Sequence, residues 1–382
     1  MLAIGLMSGT SLDGVDAALV DIKESSDGTN FELINYILLP YEQEFKNKIM
    51  NNLSDDTARL SEICSLNFEL GYKFKEAIDK VLEGTGYKYT DISFAASHGQ
   101  TIWHSPKEVL NNRGIKIIPS TLQIGESTVV STLTGIKTVA NFRTSDIVVG
   151  GEGAPLVPMS EFIMFRSLSK NIILQNIGGI GNLTYLKAGC NIEDVVAFDT
   201  GPGNAMIDYY VNKYFELPYD DGGKIALSGR VIKEVLDILM NDEYLDIKPP
   251  KSTGREKYSK ESLEKLAEDL NFDRYKKEDI ITTITEYTVQ TISYAYDKFI
   301  SEMDEAVIGG GGSHNKYIIK RLKEYYGEDR IFTQEEKGYS SDAKEAIAFV
   351  VLGYLSINGK IGNVQGATGA KKGVVLGNIT LV

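Results

Sequence analysis

An aspartate that closes an apolar run and opens a glycine-rich turn is well placed to accept a proton, and Asp199 stands at such a point. VVAF precedes it, and Thr200-Gly201-Pro202-Gly203-Asn204 leads from it into the helical-looking AMIDYYVNKYF. Backbone N–H groups in that turn can face an anion while the carboxylate takes the proton. Three more loops have the donor-rich make-up of a phosphate site. Ser8-Gly9-Thr10-Ser11-Leu12-Asp13-Gly14, continued by Val15 and Asp16, joins LAIGL to VDAALVDI. Its glycines bare N–H groups, its hydroxyls add donors, and Asp13 can hold a magnesium-bound water or order the loop. Standing alone, it would read first as a polar hairpin with Asx-type turns. Gly178 and Gly179, in the stretch IGGIGN, offer a second donor-rich turn, and Gly309 to Gly312 end a strand-like AVI before Asn315 begins a helix. That fourth loop suits an adenine nucleotide lying against backbone. Four such loops at strand ends point to a bound nucleotide, with Gly9, Thr10, Ser11, Leu12, Asp13, Gly14, Gly178, Gly179, Gly201, Gly203, Asn204, Gly310, Gly311 and Asn315 as the candidate contacts.

Candidates for an acceptor site are fewer. Ser97-His98-Gly99-Gln100-Thr101 caps the strand-like DISFAAS, and a sugar pocket needs such hydroxyl-directed polar groups, often with an apolar face beside them. A lone histidine more often hydrogen-bonds its own turn. Arg143, near Gly150-Gly151-Glu152-Gly153, can bind a carboxylate or phosphate or form a structural ion pair. Several other chemistries are excluded: GxxxxGK[ST], a GxGxxG opening a helix, GxSxG and HExxH are all absent. The three histidines form no evident metal cluster, and no residue is assigned as a direct metal ligand.

The elements that must position these loops are legible in part. LAIGL with VDAALVDI, and NIILQN with LTYLK, form two strand–loop–strand units, one in each half, and suggest an internally duplicated α/β architecture. Helices are predicted over 57–82, over 228–240 with Ser228 as N-cap, over 278–299 and over 342–358. KPPKSTGREKYSKES, at 248–262, reads as an exposed excursion able to close over a cleft, or as a plain surface loop. The composition shift at 134–158 predicts a first domain of residues 1–138, rejoined by about 365–382, and a second of residues 139–364.

The length of 382 residues suits two domains, and 53 acidic against 40 basic residues give a net charge of −13, which argues against nucleic acid or an anionic membrane surface as partner. Two cysteines are too few for a disulfide framework. No basic, then apolar, leader opens the sequence, and no apolar run spans a bilayer. The expectation is a cytoplasmic protein acting on small molecules, with a homodimer left open.

The ordered motifs MSGTSLDGVD, SHGQT, NFR with GGEGAPLVP, QNIGGIGNLT, FDTGPGN, PPKSTGRE and GGGGSHN resemble those of the anhydro-N-acetylmuramic acid kinase family across essentially the whole sequence. The resemblance implies the sugar kinase/heat-shock protein 70/actin fold: two α/β domains with duplicated mixed sheets flanked by helices around a central cleft. It implies an ATP- and Mg2+-dependent enzyme of cell-wall recycling that converts 1,6-anhydro-N-acetylmuramic acid, water and ATP to N-acetylmuramic acid 6-phosphate and ADP. It makes Gly9 to Asp16 the phosphate loop and Asp199 the catalytic base, with Ser8, His98, Thr101, Arg143 and Glu345 at the sugar. Alternatives are an ordinary sugar kinase of the same superfamily and an actin-like ATP-binding assembly protein.

Overall fold

Leu2–Met7 is an apolar run whose alternate residues serve two cores. Ile4 and Leu6 pack with Leu66, Leu70 and Phe74 of the helix Leu60–Leu82, whereas a Cβ on Gly5 would fall 1.9 Å from the Ala346 carbonyl oxygen of the helix Lys344–Ile357. A period of two thus puts one helix on each face of the strand. Leu2–Met7 pairs antiparallel with Gly14–Ser25 and parallel with Ile92–Ser97. Gly14–Ser25 pairs antiparallel with Gly28–Pro40, and Ile92–Ser97 pairs parallel with Thr138–Ala140. The C-terminal strand Asn378–Thr380 closes this edge.

The computed structural model describes residues 1–382 apart from 10, 11, 26, 27, 112, 250 and 254. Thr10 and Ser11 of the expected phosphate loop lie outside the described residues. The chain divides into two units, residues 1–164 with 342–382, and residues 165–341. In the second unit Ile172–Ile177 pairs antiparallel with Ile180–Leu186, which pairs antiparallel with Val196–Pro202. On its other side Ile172–Ile177 runs parallel to Glu305–Gly309, and that strand parallel to Ile331–Thr333. Order and polarity repeat those of the first sheet, third-second-first-fourth-fifth. The mixed sheet with flanking helices is thus present twice, the internal duplication expected from the two hairpins.

The long helix Lys277–Phe299 carries the second core and is buried on most of its circumference. Its threonines tolerate burial because their hydroxyls donate to backbone carbonyls: Thr285 to Ile281 within the helix at 2.8 Å, and Thr288 to Gly203 at 3.0 Å. The latter bond ties the helix to the turn after Asp199. Among the described residues no helix is long and apolar enough to cross a membrane, and both cysteines are free.

Three expectations change. The division falls after Met164, beyond the 138/139 boundary read from composition, and the return is at Asp342, before the expected 365, because Thr138–Ala140 pairs in the first sheet and the helix Lys344–Ile357 packs on it. The predicted 228–240 helix is two helices, Lys224–Ser228 and Lys233–Leu239, with Ile232 as N-cap and Ser228 ending the first. The break is at Gly229, where a Cβ would lie 2.4 Å from both the Glu278 carbonyl oxygen and the Thr282 hydroxyl. Finally, the 248–262 stretch is not wholly exposed: Lys251 is only 8% exposed.

Candidate active site

Asp199 lies one residue before a β-bulge. Asn182 pairs with Asp199 and Gly181 with Gly201, leaving Thr200 extra, and such a bulge re-aims the side chains around it. Thr200 is fully buried, and Gln175 Nε2 donates to the Asn182 carbonyl at 2.9 Å. The aspartate is then held from outside the sheet. Its N–H donates to the Lys251 carbonyl at 3.1 Å, its carbonyl accepts from the Tyr244 hydroxyl at 2.9 Å, and its Oδ2 accepts from the Thr253 N–H at 2.8 Å. Burial raises the carboxyl above its ordinary value, while the Thr253 N–H and the Lys251 charge pull it partly back. A carboxylate tethered by a backbone N–H and with a raised pKa suits a general base.

The glycine loops around it fall into two classes. A Cβ on Gly203 would lie 2.2 Å from the Gly178 carbonyl oxygen, and one on Gly310 would lie 2.7 Å from Asn176 Oδ1. These glycines let the loops dock on one another, and the N–H groups of Gly203 and Asn204 donate to the Gly179 and Gly178 carbonyls at 2.9 and 2.7 Å. At Gly178, Gly179 and Gly311 a Cβ would meet nothing closer than 3.7, 3.8 and 3.5 Å. Protein packing does not demand glycine there, whereas a ligand approaching the backbone would. Gly201 adopts φ 143, over Thr291. Two predicted contacts are already engaged: Asn315 Oδ1 caps the helix Lys316–Tyr326, and Asn204 Nδ2 donates to the Ile177 carbonyl at 3.1 Å.

In the first unit, Leu12 takes φ 56 and buries its side chain in the core, so it anchors the loop between the first two strands. Gly14 pairs with Pro40, a Cβ there falling 2.2 Å from the Leu39 carbonyl oxygen, and Val15 is fully buried. Ser8 is also buried, donating to Gln100 Oε1 at 2.6 Å and sharing a 2.8 Å hydrogen bond with the Tyr41 hydroxyl. Asp16 accepts from the Tyr36 hydroxyl, yet burial first, and then the charges of Asp13, Glu345 and Asp342, push it up to about 6. Glu345 follows the same logic: burial raises it, Lys344 and Arg143 lower it, and Asp13 raises it further.

His98 is 4% exposed and both ring nitrogens are used. Nδ1 meets the Gly99 carbonyl at 2.8 Å, and Nε2 accepts from Arg143 Nε at 3.0 Å. Burial, and then the Arg143 charge, lower the ring to about 3, so it stays neutral with its proton on Nδ1. Packed against Phe349 with ring centroids 5.0 Å apart and the rings tilted by 45°, it orients Arg143 and has no nitrogen left for a sugar in this arrangement. Arg143 also begins the helix Thr144–Val148, whose buried Asp146 accepts from Asn363, Thr368 and the Gly153 N–H at 2.7–2.8 Å. Thr101 lies in the strand Gln100–Ser105 and accepts from Gln123 at 3.3 Å. The first unit therefore gathers Asp13, Asp16, Arg143, Asp342 and Glu345 electrostatically, with His98 holding Arg143 and Ser8 bonded to Gln100 and Tyr41. Sequence reasoning missed Tyr36, Asp146, Tyr244, Thr253 and Asp342, none of which stands in a glycine-rich run.

The sequence profile described as anhydro-N-acetylmuramic acid kinase matches residues 1–382. The chain belongs to the anhydro-N-acetylmuramic acid kinase family. It is 46% identical over 385 residues to the anhydro-N-acetylmuramic acid kinase of Bacillus cereus (strain G9842), covering 100% of this chain and 99% of the relative. With that of Clostridioides difficile (strain 630) the identity is 45%, covering 100% and 98%. Among solved structures it is similar to component A of the (R)-2-hydroxyglutaryl-CoA dehydratase of Acidaminococcus fermentans, at 12% identity and a TM-score of 0.44, covering 91% of this chain and 97% of that one. In this anhydro-N-acetylmuramic acid kinase family member the full-length match takes in every loop described above, including the segment that holds Asp199.

Proposed function

We propose that the protein is an ATP-dependent kinase that opens 1,6-anhydro-N-acetylmuramic acid with water and phosphorylates O6, giving N-acetylmuramic acid 6-phosphate and ADP in peptidoglycan recycling. The observation that carries this reading is Asp199: a raised, backbone-tethered carboxylate beside glycines that packing leaves unexplained, in a chain matched end to end by the family. In the anhydro sugar, O6 is part of the bridge and bears no proton, so it cannot attack phosphorus as an ordinary hydroxyl does. Asp199 takes a proton from a water whose oxygen bonds to C1. The C1–O6 bond breaks, its electron pair stays on O6, and O6 takes the γ-phosphoryl group as the bond to the ADP oxygen breaks. N–H groups of the 9–16 loop and of Gly178 and Gly179 stabilise the charge on the phosphoryl oxygens, and Arg143 and Glu345 orient the sugar.

Magnesium, when bound with ATP, neutralises phosphate charge. The residues present fit it: Asp16, raised by burial and by the acids around it, has no salt-bridge partner among the described residues, and Asp13 and Asp16 would hold the ion's water shell. Turnover in ¹⁸O-labelled water tests the chemistry. The label is expected in the C1 hydroxyl and not in phosphate, and Asp199→Asn is expected to keep both ligands while losing about 10²–10⁴-fold in turnover. An unlabelled C1 hydroxyl, with N-acetylmuramic acid itself phosphorylated equally fast, would make this an ordinary sugar kinase.

A further inference from the structure

Lys251 is a buried ammonium with no role in the chemistry just described. Among the described residues it has no salt-bridge partner; its Nζ donates to the Tyr244 and Leu245 carbonyls, each at 3.1 Å. It lies over three aromatic rings, 4.6 Å from the centroid of Tyr244, 4.9 Å from Phe299 and 5.9 Å from Phe198. Asp242 and Asp246 face it but are engaged by Lys257 and Lys298, the two cations that also face it. Burial lowers the Lys251 pKa, the cost of placing a charge where Met or Leu would pack. Carbonyl dipoles and ring faces offset that cost without removing the charge from its surroundings.

What the charge holds is the segment that grips Asp199. The carbonyls bound by Nζ belong to the turn Glu243–Asp246, which also carries the Tyr244 hydroxyl; the Lys251 backbone accepts the Asp199 N–H; and Thr253, two residues on, donates to the carboxylate. We infer that Lys251 is a positioning residue: its ammonium pins the two ends of the Tyr244–Thr253 segment together, so that the segment's three hydrogen bonds fix where the Asp199 carboxylate stands. The inference rests on Asp199 being the base.

Lys251→Met keeps the stem and removes the charge and its donors, and Lys251→Arg keeps both. The Met variant is expected to lose about 10²-fold in kcat, the scale for a misplaced catalytic group, with KM for ATP and for sugar within about twofold of wild type. Removing the cation leaves Asp199 easier to protonate, so the acid limb of the kcat profile should move to higher pH. The Arg variant should restore the limb. Tyr244→Phe, which keeps the ring over the ammonium and deletes one bond to Asp199, should lower kcat without moving KM, and it serves if Lys251→Met does not fold. Wild-type kcat and acid limb in Lys251→Met, or wild-type kcat in Tyr244→Phe, overturns the inference. If Asp199→Asn itself turns over normally, the base assignment fails and this inference fails with it; if only Asp199→Asn is impaired, the positioning role alone is lost.

Discussion

At the residue scale, the buried acid Asp16 of the first unit couples stability to pH. Asp16 is held at about 6 against an ordinary 3.8, chiefly by burial and then by Asp13, Glu345 and Asp342, despite the Tyr36 hydroxyl. Its folded pKa is raised, so the fold favours the protonated form. Its contribution to stability is whole below about 3.8 and is lost as pH rises through about 6. Asp16→Asn removes that titration while its amide oxygen still accepts from Tyr36. The variant without ligands should therefore melt above wild type at pH 8 and level with it near pH 4, a difference read from thermal unfolding across that range. The same charge should favour magnesium-ATP, so the variant should bind it more weakly at pH 8. Sequence reading reached Asp16 through the family resemblance, as the last residue of the Gly9 to Asp16 motif. It did not find the burial that alters Asp16, to which the helix Lys344–Ile357 contributes from the far end of the chain, nor that His98 spends its nitrogens on Gly99 and on Arg143, 45 residues away.

At the scale of elements, the glycines divide into those the fold needs and those it does not. Gly203→Ala drives a Cβ against the Gly178 carbonyl, a backbone atom with little room to move, and should cost about 1–3 kcal/mol or more of stability. Gly179→Ala puts a methyl at ordinary contact distance from Ala205 and should melt within about 0.5 kcal/mol of wild type. If the Gly179 backbone lies against phosphate, that variant should nonetheless raise KM for ATP at least tenfold, whereas an unchanged KM would remove the residue from the ATP site. Calorimetry and steady-state kinetics on the pair separate the two roles. The hairpins carrying these glycines were legible because period-two alternation and a polar turn are local properties. Less was visible where a distant surface decides the structure. Gly229 breaks the expected 228–240 helix only because the helix Lys277–Phe299 lies against it, and Lys251, in a charged stretch with two prolines, gives no sequence sign that three aromatic rings will cover it.

For the whole molecule, the duplicated topology makes each unit a sheet with its own core, and the chain passes from the first into the second and back once. Composition misplaced that crossing because Thr138–Ala140 is short, and its pairing with Ile92–Ser97 and with the C-terminal Asn378–Thr380 spans sequence distances that no local pattern encodes. The structure makes the crossing compact on each side. Phe165 and Tyr339, near the two ends of the second unit, pack with ring centroids 4.5 Å apart, while Glu161 and Lys344 of the first unit form an ion pair at 2.6 Å. Closely spaced ends are what domain insertion requires, since a short bridge then closes the host at small entropic cost. Residues 165–341 expressed alone should therefore unfold in one cooperative transition, and residues 1–164 joined to 342–382 by a short glycine–serine linker should do the same, each followed by circular dichroism and calorimetry. Neither piece should make sugar phosphate, because one lacks the 9–16 loop and the other lacks Asp199. A 165–341 fragment without a cooperative transition would mean that its core depends on the other unit, and that the repeated sheet order does not mark two separately stable halves.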